Sequence, residues 1–340
     1  MRETTVLFTR GLSTRLIEHL KTCLHHTQGL NLIFLEDPIK TEDLLEFAPQ
    51  TDIMVGWRVP DEVKLAATKM KLFINPGAGI KHHITFFREL NKTRKVTLVN
   101  GHGNSYFTAQ HAVALLLGMT NHIVPHHNWM SQGLWRKGDS DAASIPLRNR
   151  RIGLLGYGAI NTKVHDFLKG FHVEFSILRY QWPDESISLP TPVKKFSLSE
   201  LSDFLTEIDI LIIAVPETTK TVGMIGTEEL KKLGPKGLLV NVSRGSVIDE
   251  KSLFNALRTR TIAGAAIDVW YDYQPDPDEN GHKHPFHYPF HSLPNIILSP
   301  HRGASPFSDL KRWDEVIENI KRFHGGESKF LNEIDLEREY

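Results

Sequence analysis

A glycine-rich turn near the middle of the chain is the first feature whose residue types could bind a ligand. Residues 152–155 are apolar and lead directly into Gly156-Tyr157-Gly158, and an amphipathic helical pattern follows. In a dinucleotide-binding turn the first glycine makes the tight bend, the second lets the backbone approach a pyrophosphate, and a third small residue only allows close helix packing. The third position is Asn161, which loosens that packing without blocking a phosphate. The sequence therefore predicts a pyrophosphate site at a helix N-terminus, with a plain strand–turn–helix connection as the alternative; its residues are Tyr157, Gly158, Ala159 and Ile160.

The end of the next strand indicates which dinucleotide would fit. An NAD site places Asp or Glu about 20 residues after the turn, where the carboxylate holds the ribose 2′-hydroxyl. Residues 173–182 read VEFSILRYQW, so Glu174 lies too early and the strand end offers Ile177, Leu178 and Arg179. A guanidinium without a carboxylate suits a 2′-phosphate better. We therefore expect NADP(H) to be preferred over NAD(H), with Arg179 as the main determinant and NAD as the alternative.

A series of strand and helix patterns must position this turn. Strand-like apolar runs cover residues 151–156, 173–178, 209–216, 237–243, 262–270 and 295–300. Helical patterns separate them at residues 197–205, 227–233 and 250–260. Alternation of this kind predicts a parallel sheet with helices on both faces.

The N-terminal part of the chain shows the same alternation of strand and helix patterns. Strand-like runs cover residues 5–9, 30–35, 51–57, 71–79 and 96–100. Residues 107–130 form a nearly all-round apolar helix pattern, which predicts burial on every side, either between two domains or in the core of one. A last amphipathic helix pattern, residues 306–326, ends at a glycine pair. The ligand-binding series is thus predicted to sit between two halves of another domain.

Composition excludes several classes of function. The chain has 340 residues, for which about two domains are expected, with 40 Lys plus Arg and 40 Asp plus Glu. A net charge of zero provides no basic field for nucleic acid or for a membrane surface. The first residues show no signal-peptide pattern, no apolar run reaches about 20 residues, and Cys23 is the single cysteine. We therefore expect a cytoplasmic protein without disulfides that binds neither nucleic acid nor membrane.

Four later segments carry a family resemblance. They are residues 215–225, 238–253, 262–270 and 293–305, which read VPETTKTVGMI, LLVNVSRGSVIDEKSL, IAGAAIDVW and LPNIILSPHRGAS. Together with the glycine turn they resemble, in order and spacing, the D-isomer-specific 2-hydroxyacid dehydrogenases, a family that includes glyoxylate/hydroxypyruvate reductases, phosphoglycerate dehydrogenases and formate dehydrogenases. The resemblance covers nearly the whole chain, including residues 75–84, 100–115 and 325–340.

The resemblance implies an α/β fold of two doubly wound Rossmann-like domains with parallel sheets, the cofactor domain being inserted in the substrate domain. The expected boundaries are residues 1–106 and 306–340 for the substrate domain and 107–305 for the cofactor domain. Members of the family generally form a homodimer through the cofactor domain. The implied activity is hydride transfer between NAD(P)H and a small 2-oxo acid or D-2-hydroxy acid, with glyoxylate or hydroxypyruvate as the expected substrate.

The resemblance also assigns roles to particular residues. Arg244 binds and polarises the substrate, and His301 is the acid–base group; this chemistry needs a bidentate cation for a carboxylate and a proton donor that titrates near neutrality. Backbone amides of Ala78 and Gly79 would hold the substrate carboxylate, and Asp268 would lie near the nicotinamide. Lining of the cofactor cleft is implied for Val215, Pro216, Thr218, Asn241, Val242, Ser243 and Arg244.

One part of the family pattern is missing. Most members pair the histidine with a Glu about five residues after the aspartate, usually just before a proline, whereas this chain has Asp272, Tyr273 and Gln274 before Pro275. We favour Gln274 as the partner of His301, by analogy with formate dehydrogenases, and keep Tyr273 and Asp272 as alternatives. A neutral partner orients a histidine without raising its pKa, which predicts an acid-shifted pH profile for reduction.

Two other functions remain as alternatives. A formate- or phosphite-type dehydrogenase of the same family would suit the Gln-Pro pair, because formate oxidation needs no proton shuttle. A dinucleotide-sensing, co-repressor-like binding protein is the other alternative, because the family includes such proteins and fold does not determine function.

The remaining polar residues have weaker signals. Arg58 and His102 lie in loops where they could select the substrate or only make local hydrogen bonds. His282, His284, His287 and His291 have spacings that could furnish a metal site. For that run we favour a solvated loop that closes over the cleft, with no bound metal.

Overall fold

The computed structural model describes residues 3–135, 143–182 and 188–340. Its strands, in chain order, are β1 Thr4–Phe8, β2 Leu30–Phe34, β3 Ile53–Val55, β4 Leu72–Asn75, β5 Thr97–Asn100, β6 Arg151–Leu155, β7 Glu174–Leu178, β8 Val193–Phe196, β9 Ile210–Ile213, β10 Leu238–Asn241, β11 Gly264–Ile267 and β12 Ile296–Leu298. The helices in these ranges are α1 Thr14–Leu24, α2 Thr41–Phe47, α3 Asp61–Ala66, α4 Lys81–Leu90, α5 Ser105–Thr120, α6 Ile123–Ser131, α7 Ala159–Leu168, α8 Leu201–Thr206, α9 Thr227–Leu233, α10 Glu250–Arg258 and α11 Asp314–His324. The chain divides into two compact units, Met1–Asn104 with Pro306–Tyr340, and Ser105–Ser305.

The first unit is a five-stranded parallel sheet with helices on both faces. Its strand order is β2-β1-β3-β4-β5, and alternate residues of each strand point to opposite faces. On β1, Val6 and Phe8 join a core with α1 and α11, whereas Leu7 joins a second core with α2, α3 and α4. Burial on both faces explains why these strands read as continuous apolar runs.

The second unit is a seven-stranded parallel sheet in the order β12-β11-β10-β9-β6-β7-β8. Helices α5 and α7 cover one face, and α8, α9 and α10 cover the other. The chain runs outward from β6 to β8 and then returns to place β9 on the opposite side of β6. Open α/β sheets bind ligands at such a reversal, outside the carboxyl ends of the strands. The predicted fold class, α/β with two parallel sheets and an inserted domain, is confirmed.

The single long helix predicted for residues 107–130 is wrong. The structure has two helices, α5 and α6, separated at Asn121 and His122, and His122 has a left-handed φ of 50°. Pro125 lies in the first turn of α6, where its missing N–H costs nothing, but in a continuous helix it would remove a hydrogen bond to residue 121. Helix α5 has a row of buried residues and α6 has none.

Strand β8 was missed by the sequence patterns. It is a short edge strand, and its two central residues, Lys194 and Lys195, are exposed. Lysine on an edge strand discourages pairing with another chain and also hides the apolar alternation from a pattern search. In the described residues, no helix has the length and apolar character needed to cross a membrane.

Candidate active site

The glycine turn joins β6 to α7 at the reversal of the sheet. Gly156 has a φ of +82°, and a Cβ added to it would lie 2.7 Å from the carbonyl oxygen of Ala214, so both conformation and space require glycine. A Cβ added to Gly158 would meet nothing within 4 Å, so this side of the turn is open. Within the described ranges, the N–H groups of Ala159 and Ile160 have no hydrogen-bond acceptor. Open backbone and unpaired N–H groups at a helix N-terminus fit the pyrophosphate of a dinucleotide.

Asn161 does more than occupy a packing position. It is fully buried, and its Nδ2 donates to the carbonyl oxygens of Gly156 at 2.7 Å, Leu155 at 3.2 Å and Ile212 at 3.4 Å. These bonds connect the turn to the ends of β6 and β9. From the sequence we expected only looser helix packing at Asn161. The structure shows that its amide also stabilises the turn through hydrogen bonds.

The hydroxyl of Tyr157 is within hydrogen-bonding distance of a buried histidine, His165. It lies 2.8 Å from Nδ1 of His165, whose Nε2 lies 2.8 Å from the hydroxyl of Thr191. Burial lowers the pKa of His165 to about 4, although Asp166 opposes this, so the ring is neutral at pH 7. A neutral ring can accept at one nitrogen and donate at the other, which lets it link both hydroxyls.

The other predicted cofactor and catalytic residues lie at the carboxyl ends of neighbouring strands. Val215, Pro216 and Thr218 follow β9, Asn241 ends β10 with Val242, Ser243 and Arg244 after it, Asp268 follows β11, and His301 follows β12. Since β9, β10, β11 and β12 are adjacent and parallel, all these groups share the edge that carries the glycine turn.

Arg244 is held by hydrogen bonds within its own loop. Nδ2 of Asn241 donates to the Arg244 carbonyl at 3.0 Å, and Oδ1 of Asn241 accepts from the N–H of Ser243 at 3.0 Å. The Arg244 Nη1 donates to the carbonyl of Ser243 at 2.6 Å. The described residues provide no ion pair for this half-buried guanidinium. An unneutralised, positioned cation of this kind can bind an anion bidentately.

Asp268 organises the loop that carries His301. Its carboxylate is 1% exposed and accepts hydrogen bonds from the hydroxyl of Ser299, the N–H of Arg302 at 2.8 Å and the N–H of Gly303 at 2.9 Å. His111 adds a contact of 3.3 Å between its Nε2 and Oδ1 of Asp268. Burial raises the pKa of Asp268, but these hydrogen bonds outweigh it and hold the pKa below the ordinary value.

His301 has an unusual backbone conformation for a residue with a side chain. Its φ is +55°, in the left-handed region that costs a non-glycine residue about 1 kcal/mol or more. The bonds from Ser299, Arg302 and Gly303 to Asp268 surround this residue and hold it there. A conformation maintained in this way indicates that the direction of the imidazole is important.

The imidazole of His301 has charged and aromatic neighbours. Burial lowers its pKa, Asp268 raises it and the charge of Arg244 lowers it, with a net decrease from the ordinary value. The ring of Tyr273 lies 5.3 Å from the ring of His301, centroid to centroid, and the Tyr273 hydroxyl accepts from the N–H of Trp270 at 3.3 Å. Partial burial raises the pKa of Tyr273, while that N–H and Arg244 lower it. The structure thus brings Arg244, His301, Asp268 and Tyr273 together.

Gln274 lies outside this group. It is exposed, and its backbone N–H donates to Oδ1 of Asp272 at 2.8 Å. In the part of the chain that the structure describes, no hydrogen bond joins Gln274 to His301, and the adjacent side chain is that of Tyr273. The pairing of Gln274 with His301 stays a prediction.

Arg179 directly follows β7, as the sequence predicts. Its N–H donates to the carbonyl of Phe196 at 3.2 Å, and its Cζ lies 5.5 Å from the centroid of the Trp182 ring. Two lysines add positive charge nearby: Lys195 Nζ lies 4.8 Å from the same ring, and Lys220 Nζ lies 3.0 Å from the Tyr180 hydroxyl. Residues 178–182 contain no carboxylate.

The remaining candidates lie in the first unit. Ala78 and Gly79 follow β4, and their N–H groups have no acceptor among the described residues. Asn75 Nδ2 donates to the carbonyls of Gly77 and Gly79, and Asn100 Nδ2 donates to the carbonyl of Ala78 at 3.0 Å. These bonds occupy the loop carbonyls and leave the Ala78 and Gly79 N–H groups available to a ligand.

Arg58 and His102 occupy different surroundings in the same unit. Arg58 is exposed after β3. The N–H of His102 donates to Glu315, and its Nε2 lies 2.9 Å from the hydroxyl of Tyr340. Both lie in loops after strands, and His102 already has side-chain contacts.

Sequence reasoning missed several supporting residues. Ser299 and His111 hold Asp268, and Asn75 and Asn100 shape the Ala78–Gly79 loop. A usable signal existed for the asparagines, since both β4 and β5 end in Asn and the two are paired in register. His111 lies on α5, about 190 positions from Ser299, and gave no such signal.

Comparisons with known proteins identify the family. The NAD-binding-domain model of the D-isomer specific 2-hydroxyacid dehydrogenases matches residues 113–303. A glyoxylate reductase of Pyrococcus furiosus is 31% identical over 303 residues, which cover 86% of this chain and 85% of the relative. A second, from Korarchaeum cryptofilum, is 28% identical over 319 residues, with 92% and 83% covered.

Solved structures share the fold. A D-isomer specific 2-hydroxyacid dehydrogenase from Xanthobacter autotrophicus in complex with NADPH and MES has a TM-score of 0.77 and 22% identity, covering 100% of both chains. An NADPH-dependent glyoxylate/hydroxypyruvate reductase from Sinorhizobium meliloti, in complex with NADP and malonate, has a TM-score of 0.70 and 23% identity, covering 99% of this chain and 98% of that one. The family model, the sequence relatives and the glycine turn lead to one conclusion: the chain belongs to the D-isomer specific 2-hydroxyacid dehydrogenase family and is an NAD(P)-dependent oxidoreductase.

Proposed function

We propose that the protein uses NADPH to reduce a small 2-oxo acid, glyoxylate or hydroxypyruvate, to the D-2-hydroxy acid. The observation that carries the proposal is the guanidinium of Arg244, which forms no ion pair with the described residues, beside His301 on the strand edge that carries the glycine turn. The relatives named glyoxylate reductase support the substrate class.

In this proposal each residue has a separate chemical task. Bound NADPH supplies the hydride that forms the new C–H bond at the carbonyl carbon. Arg244 holds the substrate and draws electron density toward the carbonyl oxygen. His301 in its protonated form gives its proton to that oxygen, which leaves a neutral imidazole and a hydroxyl group. Asp268 keeps the His301 loop in position, and the amides of Ala78 and Gly79 receive the substrate carboxylate.

The lowered pKa of His301 has a direct kinetic consequence. Reduction requires the protonated ring, so its kcat/KM decreases as pH rises through a pKa below the ordinary histidine value. Oxidation of the hydroxy acid requires the neutral ring, which is already the main form at pH 7. We keep Gln274 as the proposed orienting partner of His301, with Tyr273 and Asp272 as the alternatives, of which Tyr273 has a ring contact with His301.

The preference for NADPH rests on the charges around the end of β7. Arg179, Lys195 and Lys220 lie around Tyr180 and Trp182, and no carboxylate in residues 178–182 is available for a ribose hydroxyl. A 2′-phosphate would meet cations and aromatic faces there. Selection of the substrate side chain by Arg58 and His102 belongs to the same proposal.

The proposal includes a homodimer formed through the inserted unit. Helix α6 has no buried residue, and Ile123, Val124 and Met130 on it are 57%, 46% and 58% exposed. Trp135, four residues beyond the helix, is 73% exposed. We take these exposed apolar side chains as the candidate dimer surface. Sedimentation equilibrium of the intact chain tests the proposed homodimer. A monomer at micromolar concentration would refute it.

A cofactor-oxidation screen tests the main proposal. Absorbance of NADPH or NADH is followed with a panel of 2-oxo acids, and glyoxylate or hydroxypyruvate with NADPH is expected to give the highest kcat/KM. Arg244→Gln and His301→Gln should each lower it by about 10²–10⁴-fold. Turnover of formate instead, or no loss in the two variants, would refute the assignment.

A further inference from the structure

We propose that Asp278, His282 and His284 form a binding site for a divalent transition-metal ion of the zinc type, in the loop between β11 and β12. One ligand atom from each of the three side chains lies within 4.8 Å of the others. The sequence favoured a metal-free loop for this histidine run, so the convergence of these donors is new information from the structure.

The loop is folded so that the three donors face one another. Oδ1 of Asp278 accepts from the N–H of Asn280 at 2.9 Å and from the N–H of His282 at 2.8 Å. These bonds direct the second carboxylate oxygen toward the His282 ring, whose Nδ1 lies 3.3 Å from it. Gly281 has a φ of +81°, which allows the tight bend between them.

Little movement is needed to complete the site. Donors bound to a single zinc at about 2.0–2.2 Å lie about 3.5 Å apart in a tetrahedral arrangement. The ligand atoms already lie within 4.8 Å of one another, and Asp278 and His282 are exposed, so their side chains have room to reach that spacing. His284 is the more rigid member, because its ring stacks on His291 at 4.4 Å and on Phe286 at 5.2 Å.

The donor set selects the class of ion. Two imidazoles and one carboxylate suit zinc and its neighbours, whereas calcium and magnesium prefer oxygen ligands throughout. Three protein ligands leave a fourth position for water. The site differs from the dehydrogenase chemistry proposed above, which assigns no role to these three residues.

The site is connected to the segment that places Tyr273 beside His301. The carbonyl of Pro285, next to His284, accepts from the N–H of Tyr271 at 3.2 Å and from the N–H of Asp272 at 3.0 Å. Phe286 packs on Trp270 with ring centroids 5.1 Å apart. An ion that fixes residues 278–284 therefore restrains Tyr271 and Asp272, which directly precede Tyr273.

Zinc competition experiments test the proposal. The full chain is stripped with a chelator, dialysed and titrated with Zn²⁺ against a colorimetric zinc indicator. One ion per chain is expected. His282→Ala and His284→Ala should each weaken binding at least about tenfold, because groups that only orient a ligand are already worth about 10–100-fold.

His287→Ala is the matched control. His287 belongs to the same histidine run and is exposed, but its Nδ1 lies 2.8 Å from Glu250 and not in the cluster. This variant should bind Zn²⁺ as the wild type does. Visible absorption of bound Co²⁺ should be lost in His282→Ala and kept in His287→Ala. Failure of the wild type to bind one Zn²⁺, or equal binding by all the variants, would overturn the proposal.

Discussion

A buried histidine in the first unit should make the protein sensitive to acid. His83 on α4 is 0% exposed, and its ring lies against Phe73 and Phe87 with centroids 4.8 Å and 6.0 Å away. Neither ring nitrogen has a hydrogen bond of good geometry within the described ranges. Burial lowers its pKa to about 3, the charges of His82 and Lys64 add to this, and the Trp57 carbonyl and Asp61 partly oppose it.

The direction and size of the effect follow from this pKa. The unfolded chain takes up a proton near pH 6.5, whereas the folded chain does so only near pH 3. The contribution to stability is therefore fully present above pH 6.5 and is lost as pH falls from 6.5 toward 3. With about 1.4 kcal/mol for each pH unit, the loss is about 2.5 kcal/mol between pH 7.5 and pH 4.5.

Replacing the histidine should remove this loss. Between pH 7.5 and pH 4.5 the free energy of unfolding of the first unit should decrease in both His83→Leu and the wild type. The decrease should be about 2.5 kcal/mol smaller in His83→Leu than in the wild type. His82→Gln, a change of the exposed neighbour, is the control and should keep most of the pH dependence. Urea titrations read by hydrogen exchange of peptides from residues 1–104 report on this unit alone. An identical loss in His83→Leu and wild type would refute the reasoning.

Three further predictions concern the cofactor and catalytic sites. Arg179→Ala should weaken NADPH binding by about tenfold or more and leave NADH binding nearly unchanged, because only NADPH carries the 2′-phosphate; equal effects in fluorescence titrations of both cofactors would contradict this. Asn161→Asp should abolish cofactor binding or folding of the inserted unit, since a carboxylate would face three carbonyl oxygens, whereas Asn161→Ala should cost about 2–4 kcal/mol of stability measured by thermal unfolding. Tyr273→Glu should move the pH profile of reduction to higher pH, because a carboxylate beside His301 raises its pKa; Gln274→Glu should do the same only if Gln274 is the partner, so parallel kcat/KM profiles of the two variants decide between them.

Strand patterns in the sequence identified most of the fold because both sheets are parallel and buried. All five strands of the first unit and six of the seven in the second were predicted, since burial on both faces demands continuous apolar runs. The exception, β8, lies at an edge where Lys194 and Lys195 are exposed. Pattern reasoning failed again at residues 107–130, because apolar character alone cannot show that His122 adopts a left-handed conformation.

The candidate site was predictable where chemistry and strand ends coincide. The family resemblance assigned Arg244, Asp268 and His301, the positions of Arg244 and His301 after predicted strands supported it, and the structure places all three at the same edge of the sheet. The contacts that support these residues could not be predicted from the sequence. The hydrogen bonds of Asn161 depend on a carbonyl of β9, about 50 residues away, and those of Asp268 depend on a serine 31 residues later. Such contacts are set by tertiary packing, which leaves no local pattern.

The division of the chain at residues 104/105 and 305/306 also bears on how such an architecture tolerates a large insertion. A Cβ placed on Gly303 would lie 3.5 Å from Cγ2 of Thr108, so the first and last segments of the inserted unit start and finish side by side. The inserted unit of about two hundred residues therefore begins and ends at neighbouring points, as a short surface hairpin does. Excision with a brief glycine linker should yield two pieces that each retain a complete sheet, and exchange of either piece between relatives requires the two junctions at 104/105 and 305/306 to match.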